Sequence, residues 1–125
     1  MSGATLDAGA LIAFERAKRS VVALVARALE RGDSLAVPAG VVAQVWRDGA
    51  RQARLVRLLG SDVTEVIALD DSTARAVGQL CGITGATDVV DASVVLCARQ
   101  REHKIVTSDA ADLRRIDAKV ELVSI

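Results

Sequence analysis

The chain has 125 residues, of which 51% are hydrophobic, and its mean hydropathy is +0.33. These values are typical of one compact domain with a full apolar core, and they exclude a largely disordered chain. The 16 basic and 16 acidic residues cancel, so any nucleic-acid site has to be local rather than a product of the overall charge. Phe14 and Trp46 are the aromatic residues, too few for the stacking platforms of many single-strand binders.

The sequence carries no sign of membrane insertion or secretion. Its apolar runs are short or interrupted by charges, and residues 1–6 lack the basic start of a signal peptide. Cys81 and Cys97 form no CxxC motif, which favours buried, reduced thiols over a disulfide or a zinc site. The single histidine, His103, is expected to be solvated. We therefore expect a cytoplasmic protein with no membrane partner, folded as one domain over residues 1–125.

Strand-like and helix-like segments alternate along the chain, as judged from short apolar runs and from apolar positions at helical spacing. In chain order they are strand 4–6, helix 8–15, helix 20–31, strand 34–37, helices 39–47 and 50–59, strand 63–69, helix 72–80, a helix that opens at Asp88, strand 104–107, helix 110–116 and strand 120–123. Gly32 is placed to end the second helix and Pro38 to begin the third. This alternation predicts an α/β fold, a three-layer α/β/α sandwich with a central, mostly parallel sheet.

The helix that opens at Asp88 is apolar nearly all the way round. Between residues 89 and 98 only Asp91 and Ser93 are not apolar, which is typical of a core helix. Burying an ionised carboxylate costs several kcal/mol unless a cation, a metal or hydrogen bonds meet it. Asp91 therefore predicts a positive group beside it. The alternative is a capping role, with Asp88 as the N-cap and Asp91 three residues into the helix.

Two more acids follow predicted strands, Asp7 after the first strand and Asp109 after the fourth. In open α/β sheets the binding crevice lies beyond the carboxyl ends of the strands, so we expect Asp7, Asp91 and Asp109 to converge there. Asp112 stands three residues after Asp109, which places this pair on one face of a helix. Capping by Ser108 or Asp109 is again the alternative.

Three or four carboxylates in one crevice would raise their own pKa values and oppose folding unless a divalent cation screened them. Oxygen ligands suit Mg²⁺ or Mn²⁺ better than zinc. Such an ion lowers the pKa of a bound water molecule and neutralises charge on a phosphate, so the expected chemistry is hydrolysis of a phosphodiester. The sequence offers no Ser–His or Cys–His pair for a covalent route.

Three segments carry a resemblance to a known family. They are TLDAGALIAFE at residues 5–15, DVVDASVVLCA at residues 88–98 and IVTSDAADL at residues 105–113. Their order and spacing resemble the PIN-domain family, and the chain length and element order resemble the VapC-type toxins of bacterial toxin–antitoxin pairs. The resemblance implies a PIN-like fold and a Mg²⁺- or Mn²⁺-dependent endoribonuclease that cleaves RNA. It also implies a chain that is often a homodimer and is held inactive by a small cognate antitoxin protein.

The resemblance assigns site residues position by position. They are the catalytic and metal-binding acids Asp7, Asp91 and Asp109, the supplementary metal-binding acids Asp88 and Asp112, and the supporting hydroxyls of Thr107 and Ser108.

The second family acid, normally a glutamate on the helix after the second strand, is replaced by Gln44. Its carbonyl oxygen can act as a ligand but lacks the charge. Three interpretations stay open. Asp88 or Asp112 restores the fourth carboxylate; the chain is a weakened or inactive PIN-like domain that binds RNA or a protein; or Asp48, four residues further on, faces the site. An engineered change from Glu to Gln would give the same sequence.

Basic residues near the first and third helices are candidates for contacts with RNA phosphates. Arg16 and Arg19 follow the first acid, and Arg47, Arg51 and Arg54 recur at a spacing that would place them on one helical face. A solvated helix face is the alternative.

Overall fold

The structure is a computed structural model that describes residues 3–125 of the chain. Within that range, five strands form one sheet, and they are β1 (Gly3–Leu6), β2 (Ser34–Pro38), β3 (Thr64–Ile67), β4 (Lys104–Thr107) and β5 (Leu122–Ser124). The α-helices of the same range are α1 (Ala8–Glu15), α2 (Arg19–Arg31), α3 (Ala39–Val45), α4 (Ala53–Leu59), α5 (Asp71–Thr84), α6 (Val89–Arg101) and α7 (Ala110–Ile116). A turn of 3₁₀ helix, Gly49–Arg51, lies between α3 and α4.

The sheet is parallel throughout its described strands, which lie in the order β3-β2-β1-β4-β5. Right-handed crossovers between parallel strands place α1 to α4 on one face and α5 to α7 on the other. The packing agrees with this division, since α1 packs against α2, α3 and α4, whereas α6 packs against α5 and α7. The predicted three-layer α/β/α sandwich is therefore confirmed, with a sheet that is wholly parallel in the described range.

Helix α6 is a core helix, as its apolar composition predicted. Its buried residues are Ala92, Ser93, Val94, Val95, Cys97 and Ala98. The helix packs on β1, β2 and β4, whose residues Leu6, Leu35 and Ile105 are also buried. Burying one Val or Leu side chain stabilises a fold by roughly 1.5–3 kcal/mol. The acids at the amino end of α6 are thus anchored to a well-packed layer.

The connection between α3 and α4 differs from the prediction. The sequence predicts helices over residues 39–47 and 50–59, whereas α3 ends at Val45 and α4 begins at Ala53. Between them lies Gln52, whose side chain is turned into the protein and is only 8% exposed.

The Gln52 side chain replaces hydrogen bonds that a continuous helix would have made. Its Oε1 accepts from the backbone N–H groups of Arg47 (2.8 Å) and Asp48 (3.0 Å). Its Nε2 donates to the backbone carbonyl of Val45 (2.9 Å) and to Oε1 of Glu15 on α1 (2.8 Å). One buried amide therefore satisfies three backbone groups of the connection and ties it to α1.

Smaller differences concern the ends of elements. Strand β2 extends one residue past its predicted end, to Pro38, which is also the N-cap of α3, and α3 begins at Ala39 as predicted. Helix α5 continues past its predicted end at residue 80, because the exposed Gly82 is tolerated within the helix. Gly85, at φ 77°, supplies the left-handed turn that ends it.

The expectation that His103 is solvated is wrong. The ring is partly buried, with Nδ1 3.1 Å from Oγ1 of Thr5 on β1 and Nε2 3.4 Å from Oγ of Ser34 on β2. Burial, and then the positive charge of Arg101, lower the pKa of this imidazole. The buried thiol of Cys97 lies 3.5 Å from the same Thr5 hydroxyl, and it is a free thiol as predicted.

Among residues 3–125, no single helix is both long and apolar enough to cross a membrane. Helices α5 and α6 meet that criterion only when they are taken together, and they are bent by 105° at their junction.

Replacing Gln52 by Leu is expected to lower the free energy of unfolding by about 2–4 kcal/mol, because buried N–H and C=O groups of the connection lose their partners. Urea unfolding measures the difference. Gln79→Leu, on the exposed side of α5, is the matched control and is expected to change the free energy of unfolding by less than about 0.5 kcal/mol. Equal effects of the two substitutions would contradict this role for Gln52.

Candidate active site

The candidate site lies where the strand order changes direction, between β1 and β4. Leu6 is paired with Val106, so the carboxyl ends of these two strands lie side by side. Asp7 directly follows β1, and Asp109 follows β4 by two residues. Crevices at such a switch point are the usual binding sites of open α/β sheets.

One pocket at this position brings the acids that the sequence singled out together. Its volume is about 180 Å³. Its polar lining residues are Asp7, Gln44, Asp88, Asp91, Ser108, Asp109 and Asp112. Elements from both halves of the chain contribute to it, because α1, α6 and α7 all begin at this end of the sheet.

Asp7 is the most buried acid of the pocket, with 5% of its surface exposed. It is the N-cap of α1, and its Oδ1 accepts from the backbone N–H of Ala10 at 2.9 Å. Burial raises the pKa of its carboxyl above the usual value, and the charge of Asp109 adds to this. Hydrogen bonding from the Thr107 hydroxyl and the Ala10 N–H opposes the rise without cancelling it. Asp7 is therefore a carboxylate held rigidly in a place that favours its neutral form.

The raised pKa of Asp91 shows how closely the acids are crowded. Burial, followed by the charges of Asp88, Asp109, Asp112 and Asp7, raises the pKa of its carboxyl from 3.8 to about 6. All four charges act in the same direction. The pocket thus concentrates negative charge that the fold itself does not neutralise at this residue.

The capping alternative is confirmed for Asp88 at α6, whereas Asp109 makes no capping hydrogen bond at α7. Asp88 is the N-cap of α6, and its Oδ1 accepts from the N–H groups of Val90 and Asp91 at 3.0 Å each. Asp109 occupies the N-cap position of α7, but its side chain makes no capping hydrogen bond. Its backbone N–H instead donates to Oγ1 of the fully buried Thr107 at 2.8 Å. The carboxylate of Asp109 is therefore not committed to its helix.

Ser108 lines the pocket beside the start of α1. A Cβ atom on Gly9 would collide with Oγ of Ser108, so this position of α1 accepts only glycine without rearrangement. The close approach places the β4–α7 turn against the first turn of α1, and both segments line the pocket.

Gln44 lines the pocket from α3, in the position where the resemblance places a glutamate. The interpretation that Asp48 replaces it is wrong. Because α3 ends at Val45, Asp48 is not on that helix. Its carboxylate instead caps the 3₁₀ turn at Ala50 N–H (3.1 Å) and pairs with Arg51 (3.6 Å), and it does not line the pocket.

The basic residues named from the sequence lie elsewhere. Arg16, Arg19, Arg47 and Arg51 are absent from the described residues that line the acidic pocket. The predicted stripe of Arg47, Arg51 and Arg54 does not form one helical face, because the chain leaves the helical path between α3 and α4. Arg47 instead donates to backbone carbonyls of its own segment.

Arg115 was not among the residues predicted from the sequence. Its Nη1 donates to Oδ1 of Asp112 at 3.2 Å, one turn earlier on α7. The spacing of three residues between an acid and an arginine was the available signal. Asp112 is thus an ion-paired acid rather than an isolated one.

The chemistry of the pocket suits a hard divalent cation. Among residues 3–125, no three His, Cys, Asp or Glu side chains are arranged closely enough to hold a metal ion. The pocket nevertheless offers only oxygen donors from its acids, its hydroxyl and its amide carbonyl, together with crowded negative charge. Mg²⁺ usually keeps several waters and binds through one or two carboxylates, so an open acidic pocket fits it.

In metal-free buffer, the contribution of Asp91 to the stability of the chain is expected to fall as the pH rises through about 6, because Asp91 must then ionise inside the folded chain. The sign follows from the raised pKa. The stabilising contribution of protonated Asp91 is complete below 3.8, the usual value, and is lost as the pH passes about 6. Asp91→Asn removes this penalty, and we expect it to be more stable than the parent by about 1–2 kcal/mol near pH 8, after allowance for solvent screening.

Urea unfolding of both chains in chelator, across this pH range, measures the difference. Asp62→Asn, at an exposed acid outside the pocket, is the matched control. If the two substitutions change the free energy of unfolding equally near pH 8, the crowding of charge at Asp91 is contradicted.

Comparison with models of protein families and with characterised proteins finds no match to the sequence. Solved structures do match the fold. A chain of VapBC2 from Rickettsia felis, solved bound to a DNA fragment from its promoter, is 16% identical, with a TM-score of 0.71 over 98% of both chains. A chain of FitAB bound to an IR36 DNA fragment is 17% identical, with a TM-score of 0.64 over 97% of this chain and 94% of that one.

A chain of FitAcB from Neisseria gonorrhoeae is 18% identical, with a TM-score of 0.62 over 97% of this chain and 96% of that one. At these identities the likeness concerns the fold. The chain has the PIN-like α/β/α fold that the sequence predicted, and it shares that fold with chains of the VapBC and FitAB complexes.

Proposed function

We propose that this chain is a Mg²⁺- or Mn²⁺-dependent endoribonuclease and the toxin of a toxin–antitoxin pair. The observation that carries the proposal is the pocket at the β1/β4 switch point, where five carboxylates surround one space. The fold shared with chains of VapBC and FitAB complexes supports the same assignment. RNA is the substrate that the resemblance implies. Because cellular RNA is cleaved in the cytoplasm, we also propose that the chain acts there.

Asp7, Asp91 and Asp109 are the residues that would hold the cation, with Asp88 and Asp112 around them. When bound, the cation acidifies a water molecule and offsets charge on the phosphodiester. The chain supplies the positioning. The Ala10 N–H fixes the Asp7 carboxylate, and the absence of a capping bond leaves the Asp109 carboxylate free to turn toward the cation.

The remaining residues have supporting roles. Asp88 holds the first turn of α6, which carries Asp91. Thr107 holds the turn that carries Asp109. Gln44 is exposed at the rim and is neutral, so its amide can donate to a substrate oxygen without repelling a phosphate.

A second candidate function is a binding module without catalysis. Gln44 in place of a glutamate favours it, as does the wide spacing of the acids, of which no three in the described range form a tight ligand set. Such a module would keep the fold and the acidic pocket but would cleave no RNA.

We further propose a small antitoxin as the protein partner and a homodimer as the assembly. The solved structures with the same fold are named as complexes. This chain also leaves large apolar side chains exposed at about 40% each, namely Ile12 on α1, Trp46 just after α3 and Val56 on α4. Trp46 and Val56 both lie beside Gly49 and so share one surface, and contiguous exposed apolar surface is typical of a contact area for a partner protein.

Cleavage of a mixed RNA pool by the purified chain tests the nuclease. We expect cleavage that needs Mg²⁺ or Mn²⁺, falls by about 100-fold or more in Asp7→Asn, and is kept or raised in Gln44→Glu. Asp62→Asn, which leaves the pocket untouched, is expected to cleave like the parent. Cleavage that survives both chelator and Asp7→Asn would contradict the proposal. If neither the parent nor Gln44→Glu cleaves RNA, the binding module is favoured.

Binding of the cation can be tested without RNA. A ligand that binds only the folded chain stabilises it by about 2.7 kcal/mol at a concentration 100 times its Kd. We therefore expect Mg²⁺ to raise the melting temperature of the parent and of Asp62→Asn, and to leave Asp91→Asn unchanged. An equal rise in all three chains would place the cation outside this pocket.

A further inference from the structure

A larger groove adjoins the acidic pocket. It has a volume of about 430 Å³ and lies between the α5–α6 loop and α7. Asp88, Asp91 and Asp112 line both the pocket and the groove, so the two form one continuous surface. This volume lies within the range of about 300–1,000 Å³ that is usual for small-ligand sites, which is enough for one nucleotide of a strand that extends from the pocket.

The charge of this surface is unfavourable for a polyanion. Five carboxylates line it, and a divalent cation offsets only two of their charges. Among the described lining residues of both cavities, Arg115 is the single basic side chain. Because like charges repel a phosphate backbone, any strand that enters needs a positive contact here.

The geometry of Arg115 suits that contact. Its Nη1 donates to Oδ1 of Asp112 at 3.2 Å, yet its side chain is 79% exposed. A guanidinium has five N–H donors in a planar fork that matches a phosphate, and one contact leaves most of them available. An ion pair this exposed contributes little to stability, so it has no evident structural purpose.

The opposite wall of the groove is neutral. Thr84 at the end of α5 donates its hydroxyl to the carbonyl of Leu80 (2.8 Å) and accepts from the N–H of Ala86 (3.3 Å), which holds the loop in place. Gly85, Ala86 and Thr87 carry no charge. A strand can therefore lie against this wall while its phosphate faces α7.

We propose that Arg115 binds a backbone phosphate of the RNA strand next to the scissile bond, and that the groove between the α5–α6 loop and α7 holds the nucleotide of that phosphate. The inference rests on the proposed function in taking RNA as the substrate. It also changes the role of Asp112, from a supplementary metal ligand to a positioning residue that orients Arg115.

Binding of a short fluorescent single-stranded RNA to chains that carry Asp7→Asn, in Mg²⁺, tests the contact without cleavage. Adding Arg115→Gln is expected to weaken the affinity about tenfold and to reduce the slope of log K against log salt by about 0.7, the loss of one phosphate contact. Arg114→Gln, which removes the same charge from the next residue outside the groove, is the matched control and is expected to change the affinity less than about twofold. Arg115→Lys, which keeps the charge but not the fork, is expected to fall between the parent and Arg115→Gln.

The inference is overturned if Arg115→Gln and Arg114→Gln have the same effect, or if the parent binds no RNA. Binding that depends on Arg115 in a chain that never cleaves would keep the contact between Arg115 and a phosphate and reject the nuclease. Cleavage by the parent with a KM unchanged by Arg115→Gln would do the reverse. In Asp112→Asn, Mg²⁺ is still expected to raise the melting temperature. If Mg²⁺ no longer raises it, Asp112 is a metal ligand after all.

Discussion

Crowding of carboxylates at one end of the sheet is the constraint on which the rest of the structure depends. Burial and four neighbouring acids raise the pKa of Asp91 to about 6, and burial raises that of Asp7. Charges of one sign held together oppose folding, so the fold alone does not explain them. The arrangement is explained if the pocket receives positive charge from outside, and a divalent cation with its oxygen ligands meets that need.

The parallel sheet creates this crowding. Strands β1 and β4 are paired although about 100 residues separate them in sequence, and each ends in an acid or an acid-bearing turn. Helix α6 adds Asp91 because its apolar body is buried on the same sheet. The hydrophobic core thus supplies the stability that holds unfavourable charges in place, and Asp88 and Thr107 hold the turns that bear them.

Local patterns allowed much of this to be predicted. Helices α1 and α7 and strand β4 begin and end where the sequence placed them, because short apolar runs define their bounds and Asp7 caps α1. Gln52 was not predictable, since its four hydrogen bonds include one to Glu15, 37 positions earlier in the chain. Arg115 was missed for a similar reason: only the packing of α7 beside α6 brings it to the acidic surface.

A cation bound by the crowded carboxylates would be seen directly as a Mn²⁺ ion in a crystal of this chain, located from its anomalous scattering. We expect a peak in the pocket among Asp7, Asp91 and Asp109, and the loss of that peak in Asp91→Asn. A crystal saturated with Mn²⁺ that shows no peak there, or shows one only at another surface, would contradict a metal-dependent site at the β1/β4 switch point.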